Sequence, residues 1–229
     1  MRSIVAMSLA LGLALGCGQG TSQSEPKPDP KAKAKPKPAP KPVGGDGADN
    51  GAATESIVLD AAYAAEHGYT LPARIGFEVP GGHLRRQSPP ADQRVFLRLD
   101  QTSADGRPSE DLMITSLTIP PAEPDERIAF TRGLVESQGL ARAMPAGAQV
   151  VEVREIEVGG MPAVLGIGEF EAQNSGKVYA SMVAVILPEP QSFSIMAHHV
   201  AGNSEVKTPA DVGQKGLLAA ALSSMTIEP

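Results

Sequence analysis

The chain has one cysteine, Cys17, and no tryptophan in 229 residues. A single cysteine excludes an intramolecular disulfide. The Gly-x-Ser-x-Gly elbow, His-Glu-x-x-His, Cys-x-x-Cys and a phosphate-binding loop are all missing, so none of these motifs points to a reaction. Basic charge is also short where a nucleic-acid binder needs it. Residues 55 to 229 carry 13 Lys and Arg against 22 Asp and Glu, a formal charge of −9. That balance argues against a polyanionic partner.

What is present begins at the N-terminus. Arg2 precedes an apolar run, Ile4 to Leu15, of 12 residues. A bilayer-spanning helix needs about 20. A positive start, a short apolar core and small residues at its end describe a cleavable export signal over residues 1 to 16. The lone thiol follows at once, in "LALGCGQG". This stretch resembles a bacterial lipoprotein signal. The resemblance implies cleavage before Cys17, acylation of Cys17 and, with Gly18 next, sorting to the outer membrane, facing the periplasm. Several acyl chains hold where one does not, at about 0.8 kcal/mol per buried methylene. An ordinary secreted chain with a free thiol is the alternative.

Residues 17 to 54 read as the anchor cysteine and a tether. Lysine and proline alternate from Pro26 to Pro42, and Gly44, Gly45, Gly47 and Gly51 follow. Proline donates no N–H and biases its neighbour to extended geometry, so the run is expected in polyproline II form, about 50 Å long. The tether is formally positive and the remainder acidic. That contrast marks residues 55 to 229 as a separate body, of a size that buries one core.

Within the body, the sequence predicts a helix over 57–67 ending at Gly68, and strands in "RIGFEVP", "RVFLRLDQ" and "DLMITSLTI". In the second of these, Val95, Leu97 and Leu99 share a face opposite Phe96. A helix is expected over 125–143, with Phe130, Leu134, Leu140, Ala141 and Met144 on its buried side. "QVVEVREIEV", "PAVLGIGEFEA", "VYASMVAVIL" and "QSFSIMAHHV" read as four strands, the middle two a hairpin. The strand from Tyr179 to Leu187 is apolar on both faces and belongs in the middle of a layered fold. Thr208, Pro209 and Asp211 open a last helix with a capping box, and "MTIEP" adds a short end strand.

Three of these stretches, "GFEVPGG", "VGGMPAVLGIGEFE" and a final helix running into "LSSMTI", make residues 69 to 228 resemble the PsbP-like fold, including the DcrB-type envelope lipoproteins. His83 stands where that family carries a tryptophan. The resemblance implies an α+β fold, an antiparallel β-sheet flanked by α-helices in an α/β/α sandwich. It implies an accessory or binding role and no activity.

Candidate chemistry is sparse. "GIG" at Gly166 to Gly168 reads as close helix packing or a bulge rather than a nucleotide loop. His198 and His199 are adjacent on a strand, so they point to opposite faces and do not readily share a metal. Metal binding through histidines needs His67 or His83 brought to one of them. Glu152, Glu155, Glu157, Glu169 and Glu171 read as a solvated edge rather than a calcium site. Glu169 and Glu171 share a face, but no nucleophile accompanies them. The expectation is therefore a lipid-anchored, non-catalytic module without a cofactor, metal site or nucleic-acid partner, acting on an envelope protein or small ligand. The alternative is an envelope hydrolase, or a metal-binding protein with an unrecognised site.

Overall fold

The computed structural model describes residues 53–82, 84–87, 94–140, 144–145 and 147–229. The export signal, Cys17 and the Lys-Pro tether lie outside the described residues, as do His83 and Ala141.

The domain is mostly antiparallel sheet with a few helices. In chain order, β1 (Thr54–Leu59), α1 (Ala61–His67), β2 (Arg74–Pro80), β3 (Leu84–Gln87), β4 (Val95–Thr102) and β5 (Pro108–Thr118) precede α2 (Pro124–Leu134). A π-helical turn, Val135–Gly139, extends α2. Next come β6 (Gln149–Val158), β7 (Met161–Ala172), β8 (Gly176–Val185) and β9 (Gln191–Val200). A 3-10 turn (Pro209–Asp211), α3 (Gly216–Ser224) and β10 (Thr226–Glu228) end the chain. Seven strands form one sheet in the order β3-β4-β5-β9-β8-β7-β6, and three form another, β1-β2-β10.

Strand β8 shows how the layers arise. Tyr179, Val183 and Val185 enter the larger apolar cluster, while Ala180, Met182 and Ala184 enter a second one. Period-two alternation sends these sets to opposite faces, so β8 is covered on both sides, as its sequence predicts. The larger cluster joins the seven-stranded sheet to Ile57, Ile75 and Phe77 of the small sheet and to Leu217, Leu218 and Ala221 of α3. The second cluster lies under Val135, Leu140 and Met144. One face thus carries α2, and the other carries a small sheet with α3. This is richer in strand than the helix-flanked sandwich expected.

Four local expectations need correction. Residues 57 to 59 are strand, not helix: Asp60 accepts hydrogen bonds from the Ala62 and Tyr63 N–H groups at 3.0 Å and starts α1 only at Ala61. Gly68, at φ 72°, ends it as expected. Phe96 lies in the same cluster as Leu97 and Leu99, because the register with β5 slips between Val95 and Leu97. That bulge puts an extra residue on the core side. In α2 the buried side runs through Arg127, Thr131 and Val135, while Phe130 is exposed. The Arg127 guanidinium donates to the carbonyls of Pro188 and Glu189 at 2.9 Å, which fixes the helix rotation. The predicted capping box of Thr208 and Asp211 forms, but it caps only the 3-10 turn. Gly213 and Gly216, both at φ 75°, break the path, and α3 starts anew.

The "GIG" stretch is close packing. A Cβ on Gly166 would stand 2.4 Å from Val135 Cγ1, and one on Gly168 would stand 2.1 Å from Met144 Sδ. The π-turn reaches the sheet because β7 offers it bare backbone there. Gly139 meets Met182 in the same way, its Cβ position 2.2 Å from Sδ.

Candidate functional site

The titratable side chains converge where β5 meets β9. Their antiparallel register sets Glu110 opposite His199 and Asp111 opposite His198. An acidic dipeptide thus faces a histidine dipeptide, and the pleat sends one acid–histidine pair to each side of the sheet. The two histidines do not come together.

The inner pair is closed to solvent. His199 Nδ1 is 3.2 Å from Glu110 Oε2, with side-chain exposures of 0% and 3%. Neither ring nitrogen of His199 has an aligned hydrogen bond among the described residues. Oε2 of Glu110 also accepts the Leu217 N–H at 2.7 Å. The carboxylate therefore sits at the start of α3, where backbone N–H groups favour negative charge. The pair ties β5, β9 and α3 together.

The outer pair opens on a cleft. His198 Nδ1 is 3.0 Å from Asp111 Oδ1, and both are about one-quarter exposed. The cross-strand row through them runs Arg85, Asp100, Asp111, His198 from β3 to β9. The next row runs Gln87, Arg98, Met113, Met196 and on to Met182 of β8. Arg85, Arg98, Asp100, Asp111, His198 and Val200 help to line a cleft of about 290 Å³. Arg98 Nε reaches Asp100 Oδ1 at 3.2 Å.

This face is covered unevenly. Helix α2 and its π-turn pack on β6, β7 and β8. Toward β5 and β9, Met113, Thr115, Leu117, Met196 and His198 stay partly exposed. A larger depression, about 790 Å³, lies beside α1 and the C-terminus. Four alanines of α1 help to line it, and its charged groups are Asp60 and the Arg74–Glu228 ion pair at 2.7 Å. We place the candidate site at the smaller cleft, where charged side chains and the His198 imidazole meet.

The remaining sequence candidates are dispersed. His67 lies in an aromatic group, its ring centroid 4.4 Å from Tyr63 and 5.9 Å from Tyr69. Burial raises the Tyr63 phenol above its ordinary value, and its hydroxyl donates to the Phe96 carbonyl. Three of the five glutamates of β6 and β7 meet cations: Glu169 pairs with Lys177, Glu155 with Arg132 and Glu152 with Arg154. No group of three or more His, Cys, Asp and Glu placed to hold an ion occurs among the described residues. Glu110 and Asp111 were not among the sequence candidates. Their signal was an Glu-Asp pair answering a His-His pair, visible only once β5 and β9 are known to be neighbours.

No family model matches this chain. No curated protein matches it either. Among solved structures it is similar to the solution structure of the cyanobacterial PsbP protein CyanoP from Synechocystis sp. PCC 6803. The TM-score is 0.50 at 10% identity, over 82% of this chain and 98% of that one. Likeness at such identity speaks for the fold and not for an activity. The described domain has a PsbP-like fold.

Proposed function

We propose that this chain is a bacterial cell-envelope lipoprotein, acylated at Cys17, whose PsbP-like domain is a non-catalytic binding or accessory module. The domain works at the end of the Lys-Pro tether, on the periplasmic side of the outer membrane. The observation that carries the binding role is the half-covered sheet face. Met113, Leu117 and Met196 are only partly covered there and lie beside charged residues, which fits a recognition surface. The acidic body suits a protein or small-ligand partner rather than nucleic acid. The anchor rests on the apolar run that ends in small residues before the only cysteine.

Two measurements test this reading. Mass spectrometry of the N-terminal peptide should find acylated Cys17; an unmodified thiol or retained residues 1 to 16 removes the anchor. In-cell photo-crosslinking from Leu117 should give a discrete adduct that is lacking when the probe sits at Glu66 of α1. Equal labelling from both positions removes the recognition surface.

A further inference from the structure

Helix α2 carries a charge into the protein without a counter-charge. Arg127 is only 7% exposed. Its Nη1 and Nη2 donate to the Pro188 and Glu189 carbonyls at 2.9 Å. Nε is closed to solvent and has no acceptor among the described residues. The two carbonyls use only part of the guanidinium's donor capacity and neutralise none of its charge. No carboxylate pairs with Arg127 among the described residues. An ionised group taken out of water without a counter-ion is costly.

Beside this charge lies an apolar cleft of about 350 Å³. Pro124 and Ile128 of α2, Met161 and Pro162 of β7, and Ile186 and Leu187 just beyond β8 help to line it. The Ile186 N–H donates to the Pro162 carbonyl at 2.9 Å, which fixes two of these segments to each other. Among the described residues of the lining, Arg127 alone is charged. Pro188, whose carbonyl holds Nη1, is also part of the lining, so the guanidinium lies at the edge of the cleft. The acids at the start of α2, Glu123, Asp125 and Glu126, are exposed and do not line it.

We propose that this cleft binds a small apolar monocarboxylate, its chain against the proline, isoleucine and methionine side chains and its carboxylate on Arg127. The volume is at the small end of ligand pockets, and an apolar wall with one polar anchor is their usual chemistry. Charge selects the ligand. A cation is repelled, and a neutral apolar molecule leaves the guanidinium uncompensated, whereas a carboxylate on Arg makes a charge-assisted hydrogen bond. The inference goes beyond the recognition face: this cleft shares no lining residue with the one at His198.

Octanoate is the probe, titrated by calorimetry into the full chain carrying Cys17→Ala, which bears no acyl group of its own. One equivalent should bind, and octanol and octylamine should bind more than about tenfold more weakly. Methyl NMR should move the Ile128 and Met161 signals. Ala122→Trp changes an exposed residue of the lining and should abolish binding with the circular dichroism spectrum and melting unchanged. Arg127→Lys keeps the charge without the planar fork and should weaken octanoate by about tenfold. Because Arg127 also seats α2, the ligand series and Ala122→Trp decide the matter if the lysine variant unfolds. No octanoate binding, equal binding of octanol, or methyl shifts at the alanines of α1 instead overturns the proposal, and so does unchanged affinity in folded Ala122→Trp. A specific crosslink from Leu117 alongside absent octanoate binding removes this cleft alone.

Discussion

Glu110 Oε2 lies 3.2 Å from His199 Nδ1 and accepts the Leu217 N–H at 2.7 Å, out of contact with solvent. One carboxylate therefore serves two strands and a helix start. Removing the carboxylate leaves the buried Leu217 N–H without its acceptor, at about 1–3 kcal/mol, a sizeable share of the roughly 5–15 kcal/mol that holds a domain together. Glu110→Ala should lower the urea midpoint severely. Glu110→Gln keeps an acceptor for Leu217 and should cost less. Equal midpoints for Glu110→Ala and the parent would remove this tie from the account of stability.

Gly166→Ala and Gly168→Ala should differ, although both add one methyl. At Gly166 the new Cβ meets branched Val135 at 2.4 Å and Leu140 Cδ1 at 2.7 Å. At Gly168 it meets the flexible end of Met144. Overpacking costs about 1–3 kcal/mol, and an unbranched thioether yields more readily. Thermal melting should rank Gly166→Ala well below Gly168→Ala. The reverse ranking would mean that the π-turn gives way before Met144 does.

Asp211 should contribute to acid sensitivity. Its carboxylate accepts from Lys215 Nζ at 2.7 Å, from the Lys207 and Thr208 N–H groups at 3.0 and 2.9 Å, and from Thr208 Oγ1 at 2.9 Å. The Lys215 ammonium first, then these donors, hold it well below the ordinary 3.8. A depressed folded value gives stability that is complete above the unfolded value and lost as pH falls below it. Between pH 5 and pH 2, Asp211→Asn should show a shallower fall in stability than the parent. Parallel curves would exclude Asp211 from the acid transition.

Tyr63 marks the alkaline side. Burial raises its phenol above 10.0, so the folded state resists ionisation. The corresponding stability is present below the unfolded value and is lost as pH rises through the folded one. Tyr63→Phe should cost about 1 kcal/mol at neutral pH by removing the bond to the Phe96 carbonyl. It should also flatten the loss above pH 10. Ultraviolet titration of the phenol alongside chemical denaturation checks both.

Legibility in the sequence followed the range of the forces involved. The β7–β8 hairpin, β9 and β10 were readable because alternation and turn glycines act within a few residues. The α2 start was readable from Pro124 and two acids. β1 was mistaken because Ile57 to Leu59 runs straight into the alanines of α1, and only pairing with residues 75 to 80 decides it. Four-residue β3 was not foreseen, since its exposed Arg85, Arg86 and Gln87 carry no apolar pattern. The histidines were correctly sent to opposite faces by strand geometry alone. What faces them was not legible, because Asp111 and His198 are 87 positions apart and meet only through the register of two strands.

Strand β2 joins two segments from opposite ends of the domain's sequence. One neighbour, β1, lies just before it in the chain, while the other is β10, the last strand. Pairing across one edge of β2 is thus local, while pairing across the other spans about 150 residues. Without residues 216 to 228, β2 would present an unpaired strand edge, with Ile75 and Phe77 deprived of the cover that α3 provides.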